Sequence, residues 1–429
     1  MSLRANIHNL LQQKQTKQSI SLMFWNFVSI PLTIVTNIMI TRSLGAEDYG
    51  NYLYIQKLFD FAFIILNFGL LCALNRAILL SKEEHHTKEL FGSGLIVLSG
   101  IYLVICVALT VFALLSPEMR DKGILTMFFC VLPFSLIHFM MQYFEQTLPS
   151  SNRIKELIQE RYLPRLGLFI GSCGLYLLLT KTSGSYNPIA IMWVVLFTTQ
   201  ASIYTYVLYK IKPSFSNIRE RLKEIFAFNR EFGAKVYVGN LFSTAFSAML
   251  PLLIGFVSES NSEVGFYALA LSFAHIISFC PVVIATSHYK KFAEYDKIPS
   301  KIMLATIGIT LFALTCLCVL IGPFITIFYS ADFEPVIRLT YITGLGATLY
   351  GLSDFFSRYF MAKGNGEFLR NSSFLVGFCT LSFSLLLVPS YKDYGAATAY
   401  LLSGCVYIIC SIIYYIYINN KNKINLTNK

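Results

Sequence analysis

Twelve stretches of roughly 20 or more largely apolar residues, broken by short polar segments, leave this chain few ways to fold. A helix needs about 20 such residues to cross about 30 Å of hydrocarbon. The stretches run over 18–41, 49–74, 91–115, 123–147, 157–180, 188–210, 234–257, 264–289, 301–327, 334–361, 368–389 and 394–418. A membrane β-barrel would instead show alternation over segments of about ten residues, which the chain lacks. Only 13% of the 429 residues are charged, against about 25% in a soluble domain. The fold class these features predict is an all-α polytopic membrane protein with about twelve transmembrane helices. The ten cysteines all lie inside apolar runs without metal-site company, so they read as small apolar packing residues. Pro31, Pro133, Pro164, Pro251 and Pro281 fall within spans and should bend or loosen them.

Charge sets the expected orientation. Of 34 Lys and Arg, 23 fall on the side of the two termini, five on the other, and six within spans or at their edges. Short basic loops stay in the cytoplasm, so both termini are expected there. The same asymmetry accounts for the net charge of +11 and suits an anionic inner leaflet, without nucleic acid as a partner. Residues 211–233 are the longest polar segment, with Ile218, Leu222, Ile225 and Phe226 at helical spacing between charges. They predict an amphipathic helix on the inner membrane surface, joining two halves of six spans. The expected organisation is an N-terminal tail over 1–17, an N-lobe over 18–210, the linker over 211–233, a C-lobe over 234–418 and a C-terminal tail over 419–429.

Internal repetition supports two pseudo-symmetric lobes. The corner Ala46-Glu-Asp-Tyr-Gly-Asn-Tyr52 is echoed at Asn261-Ser-Glu-Val-Gly-Phe-Tyr267, keeping an acid, a glycine and a tyrosine in register. Asp393-Tyr-Gly opens the last span in the same way. Six-helix halves related by an axis along the membrane normal are an established transporter plan. If such halves rock, the corners at 41–52 and 261–267 would act as an outer gate.

The segment Arg42-Ser-Leu-Gly-Ala-Glu-Asp-Tyr-Gly-Asn-Tyr52 resembles the signature after the first helix of Wzx-type polysaccharide flippases. Tyr391-Lys-Asp-Tyr-Gly-Ala-Ala-Thr-Ala399 is similar to the segment opening their last helix. With the span count and the basic mid-chain linker, the resemblance covers nearly the whole chain. It implies a place beside the MATE exporters and MurJ-type lipid II flippases, with two lobes around a central cavity that opens alternately to each side. It also implies export of an undecaprenyl-pyrophosphate-linked oligosaccharide to the periplasmic leaflet of a bacterial inner membrane, for O-antigen or capsule synthesis. A polysaccharide polymerase and a chain-length regulator are further candidate partners.

Ionisable side chains within spans are costly in lipid, so they mark the candidate site. Lys57 and Asp60 stand three apart on one helical face of the second span. Arg161 and Arg165 stand four apart in the fifth, where planar guanidinium groups suit a pyrophosphate. The bland alternative is interfacial snorkelling or a pair with Glu160. Asp354 and Arg358 are four apart in the tenth span, Lys235 lies near the inner end of the seventh, and Glu145 near that of the fourth could pair with any of these cations. Arg161, Arg165, Lys235 and Arg358 form the expected pyrophosphate-binding set. Asp60 is a candidate for coupling to a proton or sodium gradient by cycling its proton. His138 and His275 read as packing residues that could titrate.

No nucleophile–base constellation, metal cluster or phosphate-cradling loop stands out, and the expected outer loops are short. A membrane polymerase or ligase is therefore disfavoured: the expected function is transport without a cofactor, and not catalysis. A MATE-like cation-coupled exporter of drugs or metabolites is the nearer rival.

Overall fold

The computed structural model describes residues 14–181, 187–295, 297–364 and 366–427. Residues 1–13 of the expected N-terminal tail, and 428 and 429 of the C-terminal one, lie outside these. Among the described residues the chain is helix and turn without strand. The long helices are α1 (Lys14–Leu66), α2 (Leu70–Leu80), α3 (Glu84–Leu115), α4 (Leu125–Ser150), α5 (Ile154–Lys181) and α6 (Pro188–Ile211). They continue with α7 (Ile218–Phe228), α8 (Ala234–Val257), α9 (Ser262–Glu294), α10 (Ser300–Phe328), α11 (Pro335–Ala362) and α12 (Gly366–Thr427).

Two of these contain a break and hold two spans each. In α1 the break is Gly45, with φ 75° and ψ −179°, a conformation open essentially to glycine alone. In α12 it is Lys392, with φ 49°. By length and apolarity eight helices among the described residues qualify as membrane spans, two of them holding a break; α8 and α11, at the seventh and tenth apolar runs, bring the segments into line with the expected twelve or so. Pro133 tightens α4 into a 3-10 turn over Leu132–Phe134, the local loosening expected of proline.

The helices pack as two compact units, one formed by residues up to Leu44 with Ile65–Val238, the other by Gly45–Ile64 with Gly239–Lys429. Grouping by packing therefore departs from grouping by chain order in two places. Residues 45–64, within the expected N-lobe, pack with the C-terminal half, and 234–238 pack with the N-terminal half. Hydropathy locates helices but does not say which neighbours they choose.

In the first unit, the second span breaks at Phe68 and Gly69, both with positive φ. Facing the break is a five-residue π turn, Asn229–Gly233, at the foot of α8. A Cβ on Gly69 would stand 2.4 Å from the Gly233 carbonyl oxygen, and one on Gly233 would stand 2.6 Å from that of Gly69. Only two glycines allow the backbones so close. Tyr237 donates to the Ile65 carbonyl oxygen beside them. Irregular backbone inside a membrane protein persists where protein satisfies it, as here.

Helix α7 is the predicted amphipathic helix, and it docks on α2 and α3. Its Ile225 is fully buried and its Phe226 exposed. Arg221 turns inward, its Nε 3.0 Å from Glu89 Oε2 and its Nη1 2.6 Å from Glu224 Oε2. Glu89, only 2% exposed, also accepts from Asn217 Nδ2 at 2.8 Å and lies 3.3 Å from His85. His86 bonds Glu224 at 2.9 Å, and Ser214 N donates to the Lys88 carbonyl oxygen.

In the second unit, the repeated corner motifs pack on each other. A Cβ on Gly50 would overlap the Asn261 carbonyl, and one on Gly265 would stand 3.0 Å from the Tyr49 ring. Asn261 Nδ2 donates to Asn51 Oδ1 at 2.9 Å. Tyr52 and Tyr267, the repeated tyrosines, are both buried. The glycines that the repeat holds in register are thus the ones that let this crossing close. At the far end of the unit, Phe292 of α9 and Phe355 and Tyr359 of α11 form an aromatic core.

Candidate functional site

In the first unit, α4 and α5 bring together three of the predicted site residues. Arg161 and Arg165 are one turn apart on α5, but their guanidinium groups are held differently. Arg161 Nε donates to Glu145 Oε1 of α4 at 2.9 Å. Arg165, exposed, lies over the Tyr162 ring at 5.6 Å, a cation–π contact. Tyr162 in turn stacks on Trp25 of α1, with centroids 5.7 Å apart. Both cations are thus oriented without being sealed, because Arg161 and Glu145 are each about a third exposed.

The alternative pairing of these arginines with Glu160 does not occur. Adjacent positions on a helix point about 100° apart, so Glu160 turns away from Arg161 into the helix packing. It is 1% exposed, and neither carboxyl oxygen has a hydrogen-bond partner among the described residues. In the sequence Glu160 reads only as an alternative partner for the arginines. Glu160 shares a side of α5 with the buried Leu157, three positions earlier. Lys235, at the foot of α8, also belongs to this unit and is exposed.

The second unit holds the remaining candidates. Lys57 Nζ and Asp60 Oδ2 are 3.2 Å apart, a partly exposed pair on one face of α1. Asp354 and Arg358 share a face of α11 without forming an ion pair among the described residues. Instead Tyr407 of α12 donates to Asp354 Oδ1 at 3.2 Å, and its hydroxyl also bonds Ser357 at 2.8 Å. A tyrosine 53 positions away carries no sequence signal for this role. His138 is buried against the Phe139 ring, a packing position as expected. No group of three or more His, Cys, Asp or Glu is placed to hold a metal among the described residues.

The chain is thus an all-helical membrane protein of two packed units, with few but oriented charges within its spans. Solved structures agree on the fold. The lipid II flippase MurJ in an inward closed conformation matches with a TM-score of 0.63 at 15% identity, over 94% of this chain and 91% of that one. An inward-facing multidrug resistance MATE family transporter of the MOP superfamily matches at 0.62 and 12% identity, over 91% and 96%. The MATE multidrug transporter DinF-BH matches at 0.59 and 15%, over 94% of each chain. The fold is that of the MOP superfamily transporters. The family described as polysaccharide biosynthesis protein matches residues 16–289, and the chain belongs to it. No curated protein matches the chain in sequence.

Proposed function

We propose that this protein is a flippase carrying undecaprenyl-pyrophosphate-linked oligosaccharide from the cytoplasmic to the periplasmic leaflet of the bacterial inner membrane. It does so by alternating access, for surface polysaccharide such as O-antigen or capsule. Membership of a polysaccharide biosynthesis family supports the glycan, and the excess of Lys and Arg on the side of the termini supports cytoplasmic ends. The observation that carries the substrate chemistry is the oriented pair Arg161 and Arg165. Two guanidinium groups one helical turn apart, each partly exposed, can bind a pyrophosphate through charge-assisted bonds. The Glu145 carboxylate holds Arg161 until an anion competes for it. Lys235, exposed in the same unit, is the further cation of the proposed set.

The direct test reconstitutes the protein in vesicles with a fluorescent undecaprenyl-pyrophosphate oligosaccharide in one leaflet. Wild type should move it to the other leaflet. Arg161→Glu with Arg165→Glu, shown to be inserted and folded, should not. Undiminished transfer by that double variant would remove these residues from the site. In cells, loss of the gene should abolish surface glycan and accumulate the lipid-linked intermediate. Drug sensitivity with normal glycan would favour a MATE-like exporter instead.

A further inference from the structure

Glu160 stands beside the arginine pair yet belongs to none of its bonds. The charged groups within electrostatic reach of it are Glu145 from α4 and Arg161 and Arg165 from its own helix. Tyr204 of α6, 2% exposed, is the titratable group that faces it from that helix. Arg161 is turned to Glu145 and Arg165 to Tyr162, so neither guanidinium bonds the buried carboxyl. An ionised carboxylate there would have neither water nor a donor, and the neutral acid is the form that suits the position. Ionised, Glu160 would also draw on the two cations that an incoming anion needs.

We propose that Glu160 is a proton-binding residue linked to the Arg161–Arg165 anion site, its neutral form leaving both arginines to a diphosphate group. This rests on the reading of the two arginines as diphosphate ligands. The linkage is electrostatic. A diphosphate at the arginines adds negative charge beside both carboxyl groups and withdraws the cations that would steady an ionised Glu160. Anion binding thereby strengthens proton binding, and by reciprocity proton binding strengthens anion binding by the same factor. The proton is the one already on the buried carboxyl at neutral pH, and only in alkali is it drawn from water as the anion binds. Its effect is to offset part of the cargo's negative charge within a low-dielectric site. Asp60, the carboxyl that the sequence nominates for proton cycling, has Lys57 as a standing cation partner at 3.2 Å, whereas Glu160 has none among the described residues.

The test titrates the full-length protein in lipid nanodiscs with undecaprenyl diphosphate at mildly acidic and mildly alkaline pH. Proton uptake is recorded with a pH dye in weak buffer. Wild type should bind about tenfold more tightly in acid, and should take up protons on binding at the alkaline pH only. Glu160→Gln, which fixes the neutral shape, should lose most of that pH dependence and of that uptake. A Glu160→Gln protein with wild-type pH dependence and uptake overturns the linkage while leaving the diphosphate reading intact. Wild type that binds no undecaprenyl diphosphate at either pH overturns both. Infrared spectroscopy of the ligand-free wild type at neutral pH should show the carbonyl band of a buried protonated carboxyl. Its absence overturns the neutral Glu160 even if the variant fails to fold.

Discussion

Gly69 and Gly123 share a left-handed backbone, with φ 76° and 67°, but differ in the space around them. Nothing lies within 4 Å of a Cβ placed on Gly123, whereas one on Gly69 runs into the Gly233 carbonyl. Gly123→Ala should therefore carry only backbone strain, about 1 kcal/mol. Gly69→Ala adds an overlap with backbone that cannot rotate away, so it should lower the thermal midpoint in detergent by clearly more. Equal losses would show that the two chains separate easily at this point. A second residue-scale effect concerns Asp354. Tyr407→Phe removes its hydroxyl donor and should destabilise the protein by about 1 kcal/mol. A separate fall in transport beyond that loss would place the tyrosine's hydrogen bond in the working cycle.

Helix α7 looks, in sequence, like a surface helix whose basic side meets lipid. Its apolar spacing does fix a helix with Ile225 inward. What spacing could not reveal is that Arg221 faces protein, because Glu89 lies 132 positions away and pairs with it only after α3 and α7 dock. The same limit explains the candidate site. Arg161 and Arg165 were legible from their four-residue spacing and the pair's rarity within apolar spans. Glu160, adjacent to Arg161 in sequence, reads there as an alternative partner, while helical rotation takes it to another face. The break at Phe68–Gly69 was hidden for a different reason: it sits in an apolar run, and a single glycine there reads as easily as packing. Arg221→Ala leaves the buried Glu89 with only Asn217 and His85, and should destabilise the first unit by about 3 kcal/mol. It should also open the segment 212–217 to protease in membranes. Adding Glu89→Gln should recover part of the loss, since the unpaired charge is then gone.

At the scale of the whole molecule, apolar runs gave the twelve spans, and the corner repeat pointed to the glycines that meet at Gly50 and Gly265. The division into units was not legible, because residues 45–64 precede their packing partners by some 200 positions. That division makes a prediction about the corner. With Asn51 and Asn261 in one unit, N51C and N261C should join through a short bismaleimide to the same extent with and without substrate or a pH gradient. Cross-linking that varied strongly with either would mean that the corner parts during transport and serves as a gate. The grouping also bears on biogenesis. Residues 45–64 enter the membrane early, carrying Lys57 and Asp60, while α9 and α11 are still unsynthesised. The nascent chain must keep a charged, unmatched half-helix in lipid for most of its translation, and the Lys57–Asp60 pair supplies the neutralisation that makes this wait tolerable.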